Sequence, residues 1–335
     1  MIFSVDINNG QHVIEVSGDE TILDAALKQD IGLPYGCQNG ACGSCISTLI
    51  SGTVTYPSGK TRALQDAADN ACLTCQAIPS SDICLSIGVI ETVKEIEVKT
   101  LPCRVHSHEQ LAHDVMAVKL KLPENQRLQF LAGQYINFLL SDGRERAFSI
   151  ANAPHDDAFI ELHIRHVDGG EFTDFVFGRL KDKAIMRIRG PLGTFVLRED
   201  SERPMIFVAG GTGFAPIKGQ IEHAIYAGIN RPIYLYWGVR AEEDLYQGAL
   251  AEQWVKENDN IHFVPVLSEP SDQWQGRDGF VHAAVVADFP DMSGFDIYMA
   301  GPPVMVNAGR DAFIKAGLSM DHMYSDSFDF AEDKK

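Results

Sequence analysis

Four of the seven cysteines have the number and spacing that an iron–sulfur cluster requires. Cys37, Cys42 and Cys45 lie in one short loop, and Cys75 follows later in the pattern C-x4-C-x2-C-x29-C. Four thiolates can converge on the two irons of a [2Fe–2S] cluster only if the loop curls around it. The loop YGCQNGACGSC is rich in small residues, whose backbone N–H groups can also point at sulfur. The spacing therefore predicts a [2Fe–2S] cluster held by these four cysteines.

A zinc site is the competing interpretation of the same region. Cys42 and Cys45 form one C-x2-C pair, and Cys72 and Cys75 form another, which is typical of structural zinc sites. This interpretation leaves Cys37 without a role and gives no reason for the glycines in the loop. We expect the three remaining cysteines to be small buried apolar residues, namely Cys72, Cys84 and Cys103.

An arginine, an aromatic residue and a serine lie within four residues near the middle of the chain. In the sequence RAFS, the Arg146 guanidinium can hold a phosphate, the Phe148 ring can stack, and the Ser149 hydroxyl can bind a ring edge. The sequence GEFT, from Gly170 to Thr173, opens a predicted helix whose N–H groups can bind an anion. Each motif alone also fits an exposed strand or loop, and together they predict a site for a phosphorylated ring system.

The segment MIFVAGGTGFAP predicts a strand, a glycine-rich turn and the start of a helix. Glycine allows a pyrophosphate to approach the backbone closely, and the helix N-terminus attracts its charge. Gly210, Gly211, Thr212 and Gly213 form this turn, and Pro216 suits the first helical turn. The segment therefore predicts a dinucleotide site.

The elements around these motifs predict three modules. At the N-terminus, two alternating runs separated by NNGQ indicate a hairpin, and a short helix capped near Thr21 or Asp19 follows, which indicates a small α+β sheet. Short alternating runs from Cys103 to Val196, with one helix at 172–180, predict an antiparallel barrel. Apolar strands that alternate with helices such as 219–227 and 307–316 predict a parallel α/β sheet.

The segment 91–101 alternates and is charged, so it is a linker, the first strand of the barrel, or both. The predicted boundaries are 1–93 for the cluster domain, 98–199 for the barrel domain, 200–330 for the nucleotide domain, and 331–335 for a tail.

Composition excludes several classes of protein. A chain of 335 residues that is 45% hydrophobic and 22% charged is globular rather than collagen-like or disordered, and its length suits two or three domains. The net charge of −18 repels nucleic acid and anionic membrane surfaces, so neither is an expected partner. The sequence has no apolar run long enough for a membrane span and no signal-peptide pattern, so we expect a cytoplasmic monomer.

The Ala-Cys-Gly-Ser-Cys loop and its spacing resemble plant-type ferredoxins. The order of the later motifs resembles flavin reductases that carry such a ferredoxin at the N-terminus. The stretches TILDAAL, FLAGQYI, SIANAP, GGTGFAP and GFVHAAV resemble CDP-6-deoxy-Δ3,4-glucoseen reductases, with the reductase components of bacterial oxygenases as near relatives. The resemblance spans essentially the whole chain. It implies a β-grasp [2Fe–2S] domain, an antiparallel β-barrel of the ferredoxin–NADP reductase superfamily and an α/β NAD(P)H-binding domain with a parallel sheet.

The same resemblance implies how the flavin, FAD rather than FMN, is held. Arg146 binds its pyrophosphate, Phe148 packs on the isoalloxazine where relatives have Tyr, and Ser149 lies near the N5 atom. Phe328 supplies the aromatic ring that relatives lay over the flavin, with Phe330 as its rival. Further implied site residues are the acidic Asp326, the turn residues Gly170 and Thr173, and the strand residues His163 and Arg165.

The resemblance also implies the nicotinamide contacts. Gly301 and Pro302 end the last family strand, where Ala300 replaces the cysteine that relatives place beside nicotinamide C4. Hydride transfer then rests on stacking geometry and Ser149. The run Glu242, Glu243, Asp244 lies where the adenosine ribose is expected and would repel a 2′-phosphate, so we expect NADH more than NADPH. Arg240 in the same loop argues the other way, and the run could equally be a solvated loop.

The combined prediction is an electron path from NADH to FAD to the [2Fe–2S] cluster to a protein acceptor. NADH delivers two electrons as hydride and the cluster accepts one at a time, so the flavin must divide the pair. The acceptor could be a CDP-deoxysugar dehydratase, an oxygenase or a separate ferredoxin. Two alternatives are a reductase of small acceptors (free flavin, ferric chelates or quinone) and a redox sensor with little turnover.

Overall fold

The structure, a computed structural model, describes residues 1–65, 67–90 and 96–328. The chain divides into two compact units. One unit comprises Met1–Glu97 with Gly193–Phe195, and the other comprises Val98–Leu192 with Val196–Lys335.

The first unit is a small α+β fold with one five-stranded sheet. The sheet order is β2-β1-β7-β3-β5, in which β1 and β7 are parallel and the other neighbours are antiparallel. Its elements are β1 Ile2–Ile7, β2 His12–Ser17, α1 Ile22–Lys28, β3 Ile46–Ser51, β4 Val54–Thr55, β5 Ala71–Leu73, β6 Ile78–Pro79 and β7 Ile83–Ser86.

Local sequence explains the start of this fold. Asn8, Asn9 and Gly10 adopt positive φ angles, which closes the hairpin between β1 and β2. The Thr21 side chain accepts a hydrogen bond from the Asp24 N–H group and caps α1. The hairpin and the Thr21 cap are therefore confirmed.

The second unit begins with an antiparallel barrel. Its strands follow the order β11-β10-β13-β8-β9-β12, and an antiparallel bridge between Ile150 and Leu162 joins the two ends. The elements are β8 Lys99–Ala112, β9 Val115–Lys121, β10 Tyr135–Leu139, β11 Glu145–Ser149, β12 Ile160–Arg165, α2 Glu171–Gly178 and β13 Ile185–Leu192.

The same unit continues into a parallel α/β sheet. The sheet order is β17-β16-β15-β14-β18-β19, and every neighbouring pair is parallel. Its elements are β14 Met205–Gly210, α3 Phe214–Tyr226, β15 Ile233–Val239, α4 Gly248–Glu257, β16 Ile261–Leu267, β17 Arg277–Asp278, α5 Val281–Asp288, β18 Asp296–Gly301, α6 Pro303–Lys315 and β19 Met323–Ser327.

The strand order creates a crevice between β14 and β18. The chain adds β15, β16 and β17 on one side of β14 and then returns to place β18 on the other side. Loops that leave the carboxyl ends of β14 and β18 therefore diverge, which is where open α/β sheets bind ligands. The glycine-rich turn and Gly301 lie at these two ends.

The three predicted fold types are confirmed, with local corrections. The predicted helices at 219–227 and 307–316 begin earlier, as α3 and α6, because Pro216 and Pro303 are compatible with a first helical turn. Of the segment 91–101, residues 91–95 lie outside the described residues, and a strand begins at Lys99. The predicted tail 331–335 also lies outside them. Among the described residues, no helix has the length and apolar composition to cross a membrane.

A substitution at Gly213 tests how closely β18 packs against the glycine-rich turn. A Cβ atom at Gly213 would lie 1.9 Å from the Ala300 carbonyl oxygen, so the backbones must separate in Gly213→Ala. We expect the free energy of unfolding to fall by about 1–3 kcal/mol, measured by denaturant titration. Gly294→Ala is the control, because a Cβ there has no neighbour within 4 Å. Equal stability of the two variants would contradict the close approach.

Candidate functional site

The four predicted ligand cysteines lie together in the first unit, in two contacting pairs. The Cys42 N–H group points at the Cys37 sulfur at 3.4 Å, and the Cys37 N–H group points at the Cys42 sulfur at 3.5 Å. Cys45 and Cys75 form the second pair through a hydrogen bond between their thiols. Cys42, Cys45 and Cys75 are all buried. The distant Cys75 thus reaches the loop as its spacing predicted.

The loop supplies hydrogen bonds to these sulfur atoms. Contact with the Cys42 thiol is the main reason that the pKa of Cys37 falls to about 6, and the N–H groups of Asn39 and Ala41 add to the effect. Contact with Cys45 likewise lowers the pKa of Cys75. The same contacts and burial raise the pKa values of Cys42 and Cys45, and all four thiols must lose their protons to bind a metal.

Glycine is needed where the loop closes. Gly40 has a φ angle of +83°, and a Cβ atom there would lie 2.0 Å from the Lys60 carbonyl oxygen. Its N–H group is one of the donors that lower the pKa of Cys75. A larger residue at position 40 would therefore displace a sulfur donor as well as strain the turn.

The pairing of the sulfur atoms fits two irons better than one zinc ion. A single tetrahedral zinc with sulfur ligands requires all four sulfur atoms within about 4 Å of one another. Among the described residues, no three cysteine sulfur atoms lie within 4.8 Å of one another, whereas two separate pairs do form. Cys72, which zinc would need, is fully buried beside the side chains of Ser47 and Tyr56.

In the second unit, the barrel brings the two predicted flavin motifs together. Phe148 on β11 lies with its ring centroid 5.5 Å from that of Phe172, in the first turn of α2. Arg146 lies on the same strand, and its Nη1 atom donates to the Glu145 carbonyl at 3.0 Å. The rings of Phe148 and Phe172 therefore place β11 beside the start of α2, where the Arg144 guanidinium donates to Glu171 at 2.6 Å.

The Thr173 hydroxyl forms hydrogen bonds within the turn that precedes α2. It accepts a hydrogen bond from the Val167 N–H group at 3.2 Å and lies 3.1 Å and 3.0 Å from the carbonyl oxygens of Val167 and Gly170. These bonds shape the turn before α2. The arrangement therefore supports a role for Thr173 in positioning the turn more than a direct contact with a ligand.

Ser149 and Asp326, 177 positions apart in sequence, form a hydrogen bond. The Ser149 hydroxyl donates to the Asp326 carboxylate at 3.0 Å. Asp326 on β19 is paired with Ala300 on β18, and the Phe328 N–H group donates to the Gly301 carbonyl at 2.9 Å. The barrel strand, the last sheet strand and the predicted aromatic thus meet at one place, whereas Phe330 lies outside the described residues.

A cavity of about 610 Å³ opens at the crevice between β14 and β18, within the size range of cofactor pockets. It is largely apolar, with a few polar groups at its wall. Of the predicted residues, it is lined by Gly210, Gly211, Thr212, Arg240, Pro302 and Arg165. Gly213 and Gly301 shape the turns beneath it. Arg165, which was expected at the flavin, lines this cavity, whereas Arg146, Phe148 and Ser149 do not.

Three family models match the chain in the predicted order. These are a 2Fe-2S iron-sulfur cluster binding domain over 5–80, an oxidoreductase FAD-binding domain over 102–197 and an oxidoreductase NAD-binding domain over 207–311. The chain is 40% identical over 328 residues to the CDP-6-deoxy-L-threo-D-glycero-4-hexulose-3-dehydrase reductase of Yersinia pestis, covering 98% of this chain and 99% of the relative.

The likeness extends to oxygenase systems. The reductase component 1 of terephthalate 1,2-dioxygenase from Comamonas sp is 32% identical, with 98% of each chain covered. The crystal structure of the Amycolatopsis cytochrome P450 reductase GcoB matches with a TM-score of 0.77 at 32% identity, covering 97% of this chain and 98% of that one. The chain belongs to the iron–sulfur flavoprotein reductases of the ferredoxin–NADP reductase superfamily. The reductase carries a [2Fe–2S] cluster, FAD and NAD(H), and passes electrons from the nicotinamide through flavin and cluster to a partner.

Two site residues of this reductase, Trp237 and Phe280, went unnoticed in the sequence. The Trp237 Nε1–H group donates to the Gly211 carbonyl at 3.0 Å and so holds the glycine-rich turn. Phe280, which is 70% exposed, offers its ring to the cavity and stacks on His282. Phe280 lies in the stretch GFVHAAV, but the sequence does not show that its ring is exposed. An exposed large aromatic ring is a sign of a binding site, and only the structure reveals it.

His163 does not present its side chain to the reductase's cavity. The ring is fully enclosed, with Nε2 3.0 Å from Glu161 and Nδ1 3.1 Å from the Tyr246 hydroxyl. Burial lowers the pKa of His163, so the neutral ring donates to Glu161 and accepts from Tyr246. Because Tyr246 lines the cavity, the structure favours an indirect role for His163, as a support for that residue.

Replacing Cys75 and Cys72 separately discriminates the two metal interpretations. We expect Cys75→Ser to lose the cluster, because one of the two thiol pairs is broken, and Cys72→Ser to keep it. Iron and sulfide content per chain, together with the EPR signal of the reduced protein, measures the result. Cluster loss in Cys72→Ser alone would contradict the assignment.

Ser149→Ala tests the bond that joins the barrel to β19. The variant should retain FAD, since Ser149 is not a phosphate contact, but lose alignment at the reacting atoms. We expect flavin reduction by NADH to slow about 10–100-fold in stopped-flow absorbance measurements. Unchanged reduction rates with unchanged FAD content would contradict the role of Ser149.

Proposed function

We propose that this reductase is the electron-supplying component of a two-protein system whose partner is a CDP-deoxysugar 3-dehydratase. The observation that carries the proposal is the 40% identity over nearly the full length to a reductase named for such a 3-dehydrase. The oxygenase relative is 32% identical over the same span, so an oxygenase is the second candidate partner.

The proposed division of labour follows the two units. Arg146 holds the flavin pyrophosphate together with the turn at Gly170, and Phe148 packs on the ring. Ser149, Asp326 and Phe328 align the nicotinamide with the flavin for hydride transfer. When bound, FAD accepts a hydride and releases electrons singly, which the [2Fe–2S] cluster requires. Cys37, Cys42, Cys45 and Cys75 hold that cluster.

NADH is the proposed coenzyme. Glu242, Glu243 and Asp244 form a short 3-10 turn after β15, in which Asp244 lines the cavity and the two glutamates are exposed. Carboxylates suit the free hydroxyls of an adenosine ribose and repel a 2′-phosphate. Arg240 is ion-paired to Asp244, with Nε 3.4 Å from the carboxylate, which weakens its attraction for a phosphate.

A protein acceptor is supported by the presence of the cluster unit itself. A reductase of small acceptors could deliver electrons from the flavin and would not need a second carrier in the same chain. Residues 1–93 contain 3 basic and 10 acidic side chains, so a partner with a basic patch would dock favourably. We further propose that the reductase acts as a monomer in the cytoplasm, a compartment in which the three cysteines outside the cluster stay reduced.

The acceptor can be tested with the complete reductase and purified partners. We expect NADH oxidation to rise on addition of a CDP-6-deoxyhexulose 3-dehydrase with its substrate, and to rise less with a terephthalate dioxygenase oxygenase component. In Cys75→Ser the dehydrase-dependent oxidation should fall to background, while NADH still bleaches the flavin. Absorbance of NADH and of the flavin measures both steps.

The alternatives give different results in the same assay. Equal activity of Cys75→Ser and the unmodified protein with free flavin or ferric chelates, and no response to either protein partner, would favour a reductase of small acceptors. Failure of NADH to bleach the flavin would favour a redox sensor. A larger increase in NADH oxidation with the oxygenase component than with the dehydrase would show that the partner is an oxygenase.

A further inference from the structure

Asp114 reaches the coenzyme cavity from the barrel rather than from the nucleotide-binding sheet. It lies in the turn between β8 and β9, and its carbonyl accepts a hydrogen bond from the His166 N–H group at 2.8 Å. That bond ties the turn to the end of β12. The Asp114 side chain is only 18% exposed and forms part of the cavity wall.

The Asp114 carboxylate binds two arginines that line the same cavity. Its Oδ2 atom lies 2.9 Å from Arg165 Nε and 3.6 Å from Arg240 Nη2. Arg240 is also 3.4 Å from Asp244, so its guanidinium lies between two carboxylates from different parts of the unit. His113 completes the group, with its ring nitrogens 3.9 Å from Asp114 and 3.7 Å from Asp244.

This arrangement is poorly suited to a metal ion. His113, Asp114 and Asp244 are near enough to one another to share a cation. The two guanidinium groups already neutralise the two carboxylates, and a divalent cation would be repelled by both arginines. This group of charged side chains is better explained by its effect on Arg240. Arg240 is the one basic side chain in the loop 238–246, which lies on the adenosine side.

We propose that Asp114 is a specificity-determining residue that excludes NADPH by holding the Arg240 guanidinium. This inference rests on the proposed NADH preference and assigns it to a barrel residue. An arginine near the ribose is the usual partner of a 2′-phosphate, which it binds through a bidentate, charge-assisted pair. Arg240 is half-exposed, with Nη2 facing Asp114 and Nε facing Asp244, so rotation of the guanidinium toward a phosphate breaks both ion pairs.

The two carboxylates that hold Arg240 come from different elements. Asp244 lies four residues from Arg240 in the same loop, so the loop could move as one piece and present the arginine to a phosphate. Asp114 belongs to a barrel turn that is fixed by the bond to His166. Asp114 therefore gives Arg240 a contact outside its own loop, and His113 of the same turn lies 3.7 Å from Asp244.

Asp114→Asn tests the proposal, since it removes the charge and keeps the shape. We expect binding of 2′,5′-ADP to the FAD- and cluster-loaded protein to tighten by about tenfold, and binding of ADP to change little, in isothermal titration calorimetry. The ratio of kcat/KM for NADH to that for NADPH should fall by about the same factor. Asp157→Asn is the matched control, because Asp157 pairs with Arg127 and does not line the cavity.

The double variant Asp114→Asn/Arg240→Ala separates holding of the arginine from direct repulsion of the phosphate. The gain in 2′,5′-ADP binding should disappear when Arg240 is absent. Persistence of the gain in the double variant, or no gain in Asp114→Asn, would overturn the proposal. Failure of the unmodified protein to reduce its flavin with either coenzyme would instead contradict the proposed function, and the calorimetry would still report on Asp114.

Discussion

The hydrogen bond between Ser149 and Asp326 is the contact on which the arrangement of the second unit depends. It joins β11 of the barrel to β19 at the edge of the parallel sheet, across 177 positions of sequence. Because β19 pairs with β18, the bond also fixes Ala300 and Gly301 relative to the barrel. Together with the contacts between His163 and Tyr246 and between Asp114 and Arg240, this bond holds the barrel and the sheet in one geometry, which hydride transfer between two rings demands.

A second constraint is the lack of a side chain at Gly213, which allows β18 to pack directly against the glycine-rich turn. The Ala300 carbonyl occupies the space that a Cβ atom would fill. Trp237 secures the same turn through the Gly211 carbonyl. The glycine-rich turn at one side of the cavity is therefore fixed by close backbone packing and by the Trp237 ring, so it loses little entropy when a ligand binds. Charged side chains enter only at its wall, where they select the ligand.

Local patterns predicted the parts of this protein that are built locally. The spacing of Cys37, Cys42 and Cys45, the cap at Thr21 and the turn at Gly210–Gly213 are all properties of short segments, and sequence reasoning found them. The engagement of His163 with Tyr246, the use of the Thr173 hydroxyl within its loop and the reach of Asp114 to Arg240 depend on where other strands lie. Spacing carries no information about those contacts, so only the structure reveals them.

The central claim is that electrons from NADH pass through the flavin before they reach the cluster. Rapid mixing with NADH in the absence of oxygen, followed by flavin absorbance and freeze-quenched EPR on the same samples, tests it directly. We expect flavin bleaching to precede the EPR signal of the reduced cluster, and we expect the cluster signal to be absent from protein stripped of FAD. A cluster that is reduced first, or at the same rate without FAD, would contradict the account.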